Sequence, residues 1–291
     1  MNDWISAPPP PDTEPANARV HLRYEDVSQD GRLLLELMPN ALGAAVWSKQ
    51  LAGDSFAMAC MASGVVPILT RFVIEGAPGP FGIATPIAVL GRFALAEQPG
   101  ERVFLNMWAE LSGPIGRTYP PLPENAGEIA PAGRIFGEHA FTRLFAPPGE
   151  RRVKKLEVPG APVPAPYAPR PFAAMFDLPS GARVLGDLAA DAAPIVFGLL
   201  HTDSNQHVNS LVYLRLFEEA VLRRFASLGR DDRVLARKLD IAYRKPCFAG
   251  DRMRVHVQPL EHEGMLGAIC AIAPEGSPTS EARAVARLLF G

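Results

Sequence analysis

Thirty of the 291 residues are proline, and their placement limits the fold more than any other feature of the chain. Proline has no backbone N–H and fits neither a helix interior nor a central strand. The prolines gather in three places: Pro8–Pro11 with Pro15, the stretch TYPPLPENAGEIAP from Thr118 to Pro131, and EVPGAPVPAPYAPRP from Glu157 to Pro171. The first predicts a disordered or polyproline arm over residues 1–18. The last predicts an extended linker which, with the basic run Arg151, Arg152, Lys154 and Lys155 before it, covers residues 151–171. That leaves two folding stretches, residues 19–150 and 172–291.

The rest of the composition is that of a folded chain, 48% hydrophobic and 21% charged. A formal net charge of -2 argues against nucleic-acid binding, which favours a basic balance. The start MNDWISAPPPP has an acid at Asp3 and no apolar core, so no signal peptide is read there. No apolar run approaches the ~18 residues of a membrane span, so no membrane insertion is expected. Cys60, Cys247 and Cys270 are too few and scattered for a disulfide framework or a CxxC metal site. The default reading is a cytoplasmic protein.

In the second stretch, Ser210–Gly229 places Leu214, Phe217, Val221, Phe225 and Leu228 at i+3/i+4 steps, with Gly229 as a C-cap. This predicts a long helix. LDIAYRK, DRMRVHVQ, MLGAICAIA and ARAVARLLF then predict a run of antiparallel strands. The first stretch repeats the outline more loosely. It suggests strands at HLRYEDV and LLLELM, a helix over about Ser55–Ile74, and strands at IAVLGRFAL, RVFLNMWAEL and RIFGEHAFTRLF. PGERVFLN resembles AGDRMRVH with Gly100 and Gly250 150 residues apart, while the presumed helix ends Gly76 and Gly229 lie 153 apart. A near-constant offset points to a tandem duplication. The plan is α+β, without a GxGxxG or Walker A motif.

Polar chemistry concentrates where PIVFGLL meets the predicted helix, in His201-Thr-Asp203-Ser-Asn205-Gln-His207-Val-Asn209. Helix-start amides are donors with partial positive charge, able to polarise a carbonyl. A histidine beside them can act as base, acid or orienter near neutral pH. One Asx residue would suffice as a cap, so four polar groups followed by Tyr213 point beyond capping. The pairs His201/His207 and His256/His262 lack supporting ligands, and no metal or other cofactor is expected. Asp54 lies 153 residues before His207 with no His or Asn beside it, so the first stretch is expected to bind and shape rather than catalyse. Trp47 and Trp108 read as core.

HTDSNQHVNSLVYLRLFEEAV resembles the signature of the hotdog-fold thioesterases that act on fatty acyl–acyl carrier protein, relatives of the 4-hydroxybenzoyl-CoA thioesterases. Asp203, Asn205, His207 and Asn209 match a DxNxHVN segment that opens the central helix of the second of two tandem hotdog domains. LDIAYRKPCFAGD resembles the family's strand ending in Tyr-Arg-Arg-Glu-Cys through Tyr243, Arg244 and Cys247, with Lys245 conservative. Pro246 departs from it, standing where the family has a glutamate implicated in catalysis. The likeness spans about Pro194–Asp251.

The resemblance implies a double hotdog, each half a curved antiparallel sheet wrapped around a long central helix. Residues 19–150 would be a binding or structural domain and residues 172–291 the domain carrying the active site. It implies hydrolysis of a fatty-acyl or related thioester of acyl carrier protein or CoA. Asp203, Asn205, His207 and Cys247 are the candidate catalytic residues. Asn209, Tyr213, Tyr243, Arg244 and Lys245 are candidates for substrate binding. Cys247 is either a nucleophile beside an imidazole or a small residue in a Pro-small-x-x-Gly-Asp turn, with water as the attacking group. Ten cations against four carboxylates between Arg223 and Arg254 make either a solvated face or a landing surface for CoA phosphates or an acidic carrier. Open alternatives are a hotdog dehydratase or acyltransferase, and a non-catalytic acyl-binding scaffold. The tandem pair would complete a pseudo-dimer within one chain, with a homodimer of chains also open.

Overall fold

The computed structural model describes residues 4–291, so the expectation for residues 1–3 lies outside the described residues. The chain divides into two compact units: Ala7–Pro169, and Arg170–Gly291 together with the chain start up to Ser6.

In the first unit, β1 (Ala16–Val20), β2 (Val65–Gly76), β3 (Ile87–Gln98), β4 (Arg102–Pro114) and β5 (Ile129–Arg143) form an antiparallel sheet in the order β1-β3-β4-β5-β2. A two-residue strand, β6 (Ala165–Pro166), runs parallel to β3. On one face lies α1 (Pro39–Leu42), which continues as a π-helix over Gly43–Leu51 and buries Ala41, Leu42, Ala45 and Val46. The helix comes so close to β3 that a Cβ on Gly91 would stand 2.5 Å from that of Ala45, which explains the glycine. A second helix, α2 (Ser55–Ala62), is capped by the Asp54 carboxylate, which accepts from the amides of Phe56 (2.9 Å) and Ala57 (3.1 Å).

Three first-half expectations change. The helix over Ser55–Ile74 is α2 followed by β2: Gly64 turns the chain at φ +69, and the β-branched Val65, Val66, Ile68, Thr70, Val73 and Ile74 then favour a strand. HLRYEDV and LLLELM hold 3-10 turns at Tyr24–Asp26 and Leu35–Leu37, the edge strand lying earlier at β1. Gly76 closes a strand rather than a helix, so its offset from Gly229 does not mark equivalent places.

The second unit has the same strand order. The strands β7 (Arg183–Val184), β8 (Ala189–Ala190) and β9 (Ile195–Val196) pair in turn with one edge of the sheet. After α3 (Ser210–Ser227) come β10 (Ala236–Tyr243), β11 (Arg252–His262), β12 (Met265–Pro274) and β13 (Ala284–Phe290), antiparallel in the order β10-β13-β12-β11. The helix packs on β11 and β12 and buries Tyr213, Leu214, Phe217, Ala220, Val221 and Phe225. Helix and strands match the sequence reading of this half.

The far face of each sheet is covered by a proline-rich segment. In the first unit the Trp108 indole donates to the Pro8 carbonyl (2.8 Å) and Arg92 to that of Thr13 (2.9 Å). Tyr167 rests edge-on against Phe104 (5.4 Å) and donates its hydroxyl to Glu138 (2.5 Å), which also accepts from Thr70 (2.6 Å). In the second, Arg287 lies opposite Asp240 and donates to the carbonyls of Trp4 (3.0 Å), Met175 (3.1 Å), Asp177 (3.3 Å) and Ala174. Arg170 donates to Asp240 (2.7 Å), and the Trp4 ring lies under the Arg287 guanidinium. The disordered arm expected over residues 1–18 is therefore corrected for its described part: Trp4 and Ile5 are buried, and Ala16–Val20 is a strand. Residues 151–169 likewise belong to the first unit rather than to a free linker.

Two stability outcomes follow from these buried groups. Arg287→Ala strands the covering carbonyls of Trp4, Ala174, Met175 and Asp177, and should cost about 3 kcal/mol of unfolding free energy in denaturant titrations. An unchanged midpoint would show that the arginine does not hold the segment. His139, on the helix side of β5 between Trp47 and Phe72, is 7% exposed. Burial pushes its pKa down from 6.5 to about 4, partly offset by the Gly137 and Leu105 backbone. The unfolded chain therefore takes the proton first as pH falls through 6.5, and stability declines until about 4, by about 3 kcal/mol in all. His139→Phe should flatten that part of the stability–pH curve.

Candidate functional site

The polar segment of the second unit is a closed loop at the start of α3. Strand β9 delivers Phe197, whose amide donates to the Asp251 carbonyl (3.0 Å) and whose carbonyl accepts from Gly250 (2.7 Å). Leu199–His201 makes a 3-10 turn, with His201 Nδ1 accepting from the Gly198 amide (2.9 Å) and its ring against Phe197. The loop then folds on itself. Asp203 N donates to the His207 carbonyl (3.0 Å), Gln206 N to that of Asp203 (2.9 Å), and Asn209 N to that of His201 (2.9 Å).

Asp203 is the hinge of this arrangement. One carboxylate oxygen accepts from the Asn205 amide (2.8 Å) and the other from the Asn209 carboxamide (3.2 Å). Asn209 in turn caps α3, its Oδ1 accepting from Leu211 N (2.9 Å). Of the first-turn amides, that of Leu211 is thus used by the cap and that of Val212 by the Asn209 carbonyl (3.0 Å). Asn205 is exposed, and the half-buried His207 ring stands edge-on to Phe248 at 5.5 Å.

The turn after β10 closes the other side. Val208 N donates to the Cys247 carbonyl (2.8 Å), and Cys247 N donates to the Tyr213 hydroxyl (3.2 Å), which also bonds the thiol. Tyr243 donates to the Ser210 carbonyl (3.1 Å) and packs edge-on to Tyr213. Burial pushes the Cys247 thiol up and the Asp251 carboxylate adds to that, while the Tyr213 hydroxyl and the Arg283 cation oppose it. Tyr213 and Tyr243 are also held well above the usual phenol range, chiefly by burial. Both therefore stay protonated and serve as posts between helix and turn.

The loop gathers Asp203, Asn205, His207 and Asn209, and the turn brings Cys247 and both tyrosines beside it. Arg244 and Lys245 are exposed, each backbone amide donating to the Arg283 carbonyl, and the Arg244 guanidinium lies over Phe172 (4.9 Å). Part of the basic excess is paired: Arg223 with Asp191 and Glu219, and Arg254 with Glu275. Asp54, compared with His207 on spacing, is the cap of α2. Among the described residues, no group of three or more His, Cys, Asp or Glu is placed to hold a metal ion. Sequence reasoning passed over Phe248 and Asp251, whose carboxylate accepts from Phe248 N (2.9 Å). Their one sequence signal is the Phe-Ala-Gly-Asp turn after Cys247.

No family model matches the sequence, and no curated protein matches it either. Solved structures do. A protein described as an oleoyl thioesterase from Lactobacillus plantarum superposes with a TM-score of 0.62 at 15% identity, covering 95% of each chain. The 12:0-ACP thioesterase of Umbellularia californica gives 0.58 at 14% identity over 94% of this chain and 96% of that one. An acyl-ACP thioesterase from Bacteroides thetaiotaomicron gives 0.57 at 15% identity over 95% and 98%. Identity this low shows a shared fold, and the coverage shows it shared through both units.

All three cysteines are buried, with thiols raised above their ordinary range by burial, that of Cys60 to about 11. A chromogenic disulfide reagent at mildly alkaline pH should leave the native chain unlabelled and react with all three thiols once it is unfolded. Rapid native labelling of Cys247 would mean an accessible thiolate there.

Proposed function

We propose that this protein is a thioesterase of the acyl-ACP type, a double hotdog whose second unit hydrolyses a fatty-acyl or related thioester of acyl carrier protein or CoA. The observation that carries this reading is the Asp203 carboxylate tying Asn205 and Asn209 together at the start of α3, with His207 between them. The shared fold of thioesterases across 94–95% of the chain supports it. In this reading α3 is the central helix of one hotdog and α1 with its π-helical extension that of the other. Residues 19–150 are the binding or structural domain, and the protein works in the cytoplasm. Among the described residues, no helix is long and apolar enough to cross a membrane.

Water is the nucleophile in this mechanism. His207 takes its proton as the oxygen attacks the thioester carbon, and the thiolate leaves with that proton when the tetrahedral intermediate collapses. Asn205, exposed at the loop tip, orients the carbonyl, while Asp203 fixes both asparagines. The Leu211 and Val212 amides are engaged, so charge on the carbonyl oxygen falls to the donors beside them. The Cys247 thiol is buried and raised, which disfavours a thiolate. Its backbone positions the turn instead, the carbonyl accepting from Val208 N and the amide donating to the Tyr213 hydroxyl. Arg244 and Lys245 meet the anionic end of the carrier.

A panel of acyl-CoA and acyl–carrier-protein thioesters tests the proposal. Hydrolysis above background is expected, with kcat/KM falling about a hundredfold or more in His207→Ala at unchanged melting temperature. Cys247→Ala should stay within a few-fold of the native chain, and a collapse of its activity would restore the covalent route. No turnover with retained acyl binding would make the protein a scaffold.

A further inference from the structure

The basic run before the linker, Arg151 to Lys155, has no part in the proposed chemistry, and in the first unit it lies beside the most exposed aromatic residue of the chain. Strand β5 ends at Arg143, and Leu144-Phe145-Ala146-Pro147-Pro148 form a hairpin tip that leads through the Pro148–Glu150 turn into the run. Arg143 N donates to the Arg151 carbonyl (2.8 Å) and Arg151 Nε to that of Ala146 (2.9 Å), which keeps the tip closed. Behind it, buried Val153 accepts from Val103 N (2.9 Å) and fastens the hairpin to β4.

Phe145 is 89% exposed at this tip, beside half-exposed Leu144. Leu144 N donates to the Gly64 carbonyl, and Phe145 lies 3.8 Å from where a Gly64 side chain would begin, so the tip sits against the end of α2. There Met61 and Met58 are 66% and 55% exposed. Four large apolar side chains thus share one small surface. Around them stand the exposed cations Arg143, Arg151, Arg152, Lys154 and Lys155. The carboxylates beside them are Glu150, Glu101 paired with Arg152 (3.1 Å), and Glu157 paired with Lys155 (2.9 Å). The face stays positive on a chain whose net charge is -2.

We propose that this hairpin and the exposed side of α2 dock on an anionic lipid surface, the Phe145 tip entering the headgroup layer and the cations lying against lipid phosphates. A convex apolar tip with a basic collar suits a deformable anionic layer. A protein partner would instead need a hollow shaped to receive Phe145 and both methionines. The docking is peripheral, with nothing crossing the bilayer, and it does not depend on the hydrolytic reading.

Co-sedimentation of the full chain with vesicles is the test, using phosphatidylcholine alone or with added phosphatidylglycerol. The bound fraction should rise about fivefold or more with the anionic lipid and fall at high salt. Phe145→Ser and the double change Lys154→Glu with Lys155→Glu should each remove most of that gain, with circular dichroism unchanged. Absence of binding to anionic vesicles, or binding indifferent to both variants, overturns the proposal and leaves an acidic protein as the occupant of this face. Equal binding to neutral vesicles overturns it as well.

Discussion

A polyproline segment laid over a sheet brings carbonyls with it but few N–H groups, and those carbonyls need donors once water is excluded. Side chains rising from the sheets supply them here. Arg287 serves four carbonyls at once, the indoles of Trp4 and Trp108 serve Asp177 and Pro8, and Arg92 serves Thr13. A guanidinium, with five donors in a planar fork, suits this task as no other side chain does. Each sheet has a helix for one face only, so without these donors the second face would lack a cover that satisfies its own backbone. The two central sheets, and hence the positions of their helices, depend on this pairing of proline-rich carbonyls with buried donors.

The candidate site applies the same economy of hydrogen bonds on a smaller scale. The loop from Asp203 to Asn209 takes up several of its own amides and those of Leu211 and Val212 in α3, and the Cys247 turn closes it from the side. Asn205 and His207 are thus held by a frame made of other groups, which is how a site keeps its geometry before a substrate arrives. Buried Tyr213 and half-buried Tyr243 belong to that frame. Their hydroxyls meet backbone groups of helix and turn, which fixes the distance between the two.

What could be read from the sequence was what is local. α3 was legible because its apolar side chains recur at helical spacing between charged ones, and β10 to β13 because buried and exposed residues alternate or run apolar. The DxNxHxN spacing was legible because one short loop contains it. α1 escaped because Pro39 and Gly43 lie within or beside it and two of the residues it and its extension bury are alanines. The stretch after Asp54 misled because it is apolar on every side and so carries no period, leaving Gly64 and the β-branched residues after it as the signs of the change to a strand. The order of the chain start around Trp4 was illegible in principle, since the groups that hold it, Asp177 and Arg287, are far away in sequence. Phe248 escaped for the same reason, meeting His207 only once the turn after β10 has folded.

The edge of the second sheet at β11 is not one continuous strand partner but three short ones, β7, β8 and β9, set along it with breaks between. A bare edge strand of eleven residues would offer a long ladder of unpaired backbone groups to any passing extended chain. Here every stretch of that ladder long enough to seed such an addition is already interrupted or occupied. The irregular segment between the proline-rich linker and the polar loop therefore also guards against edge-to-edge aggregation, and changes that straighten it would be felt first as a loss of solubility.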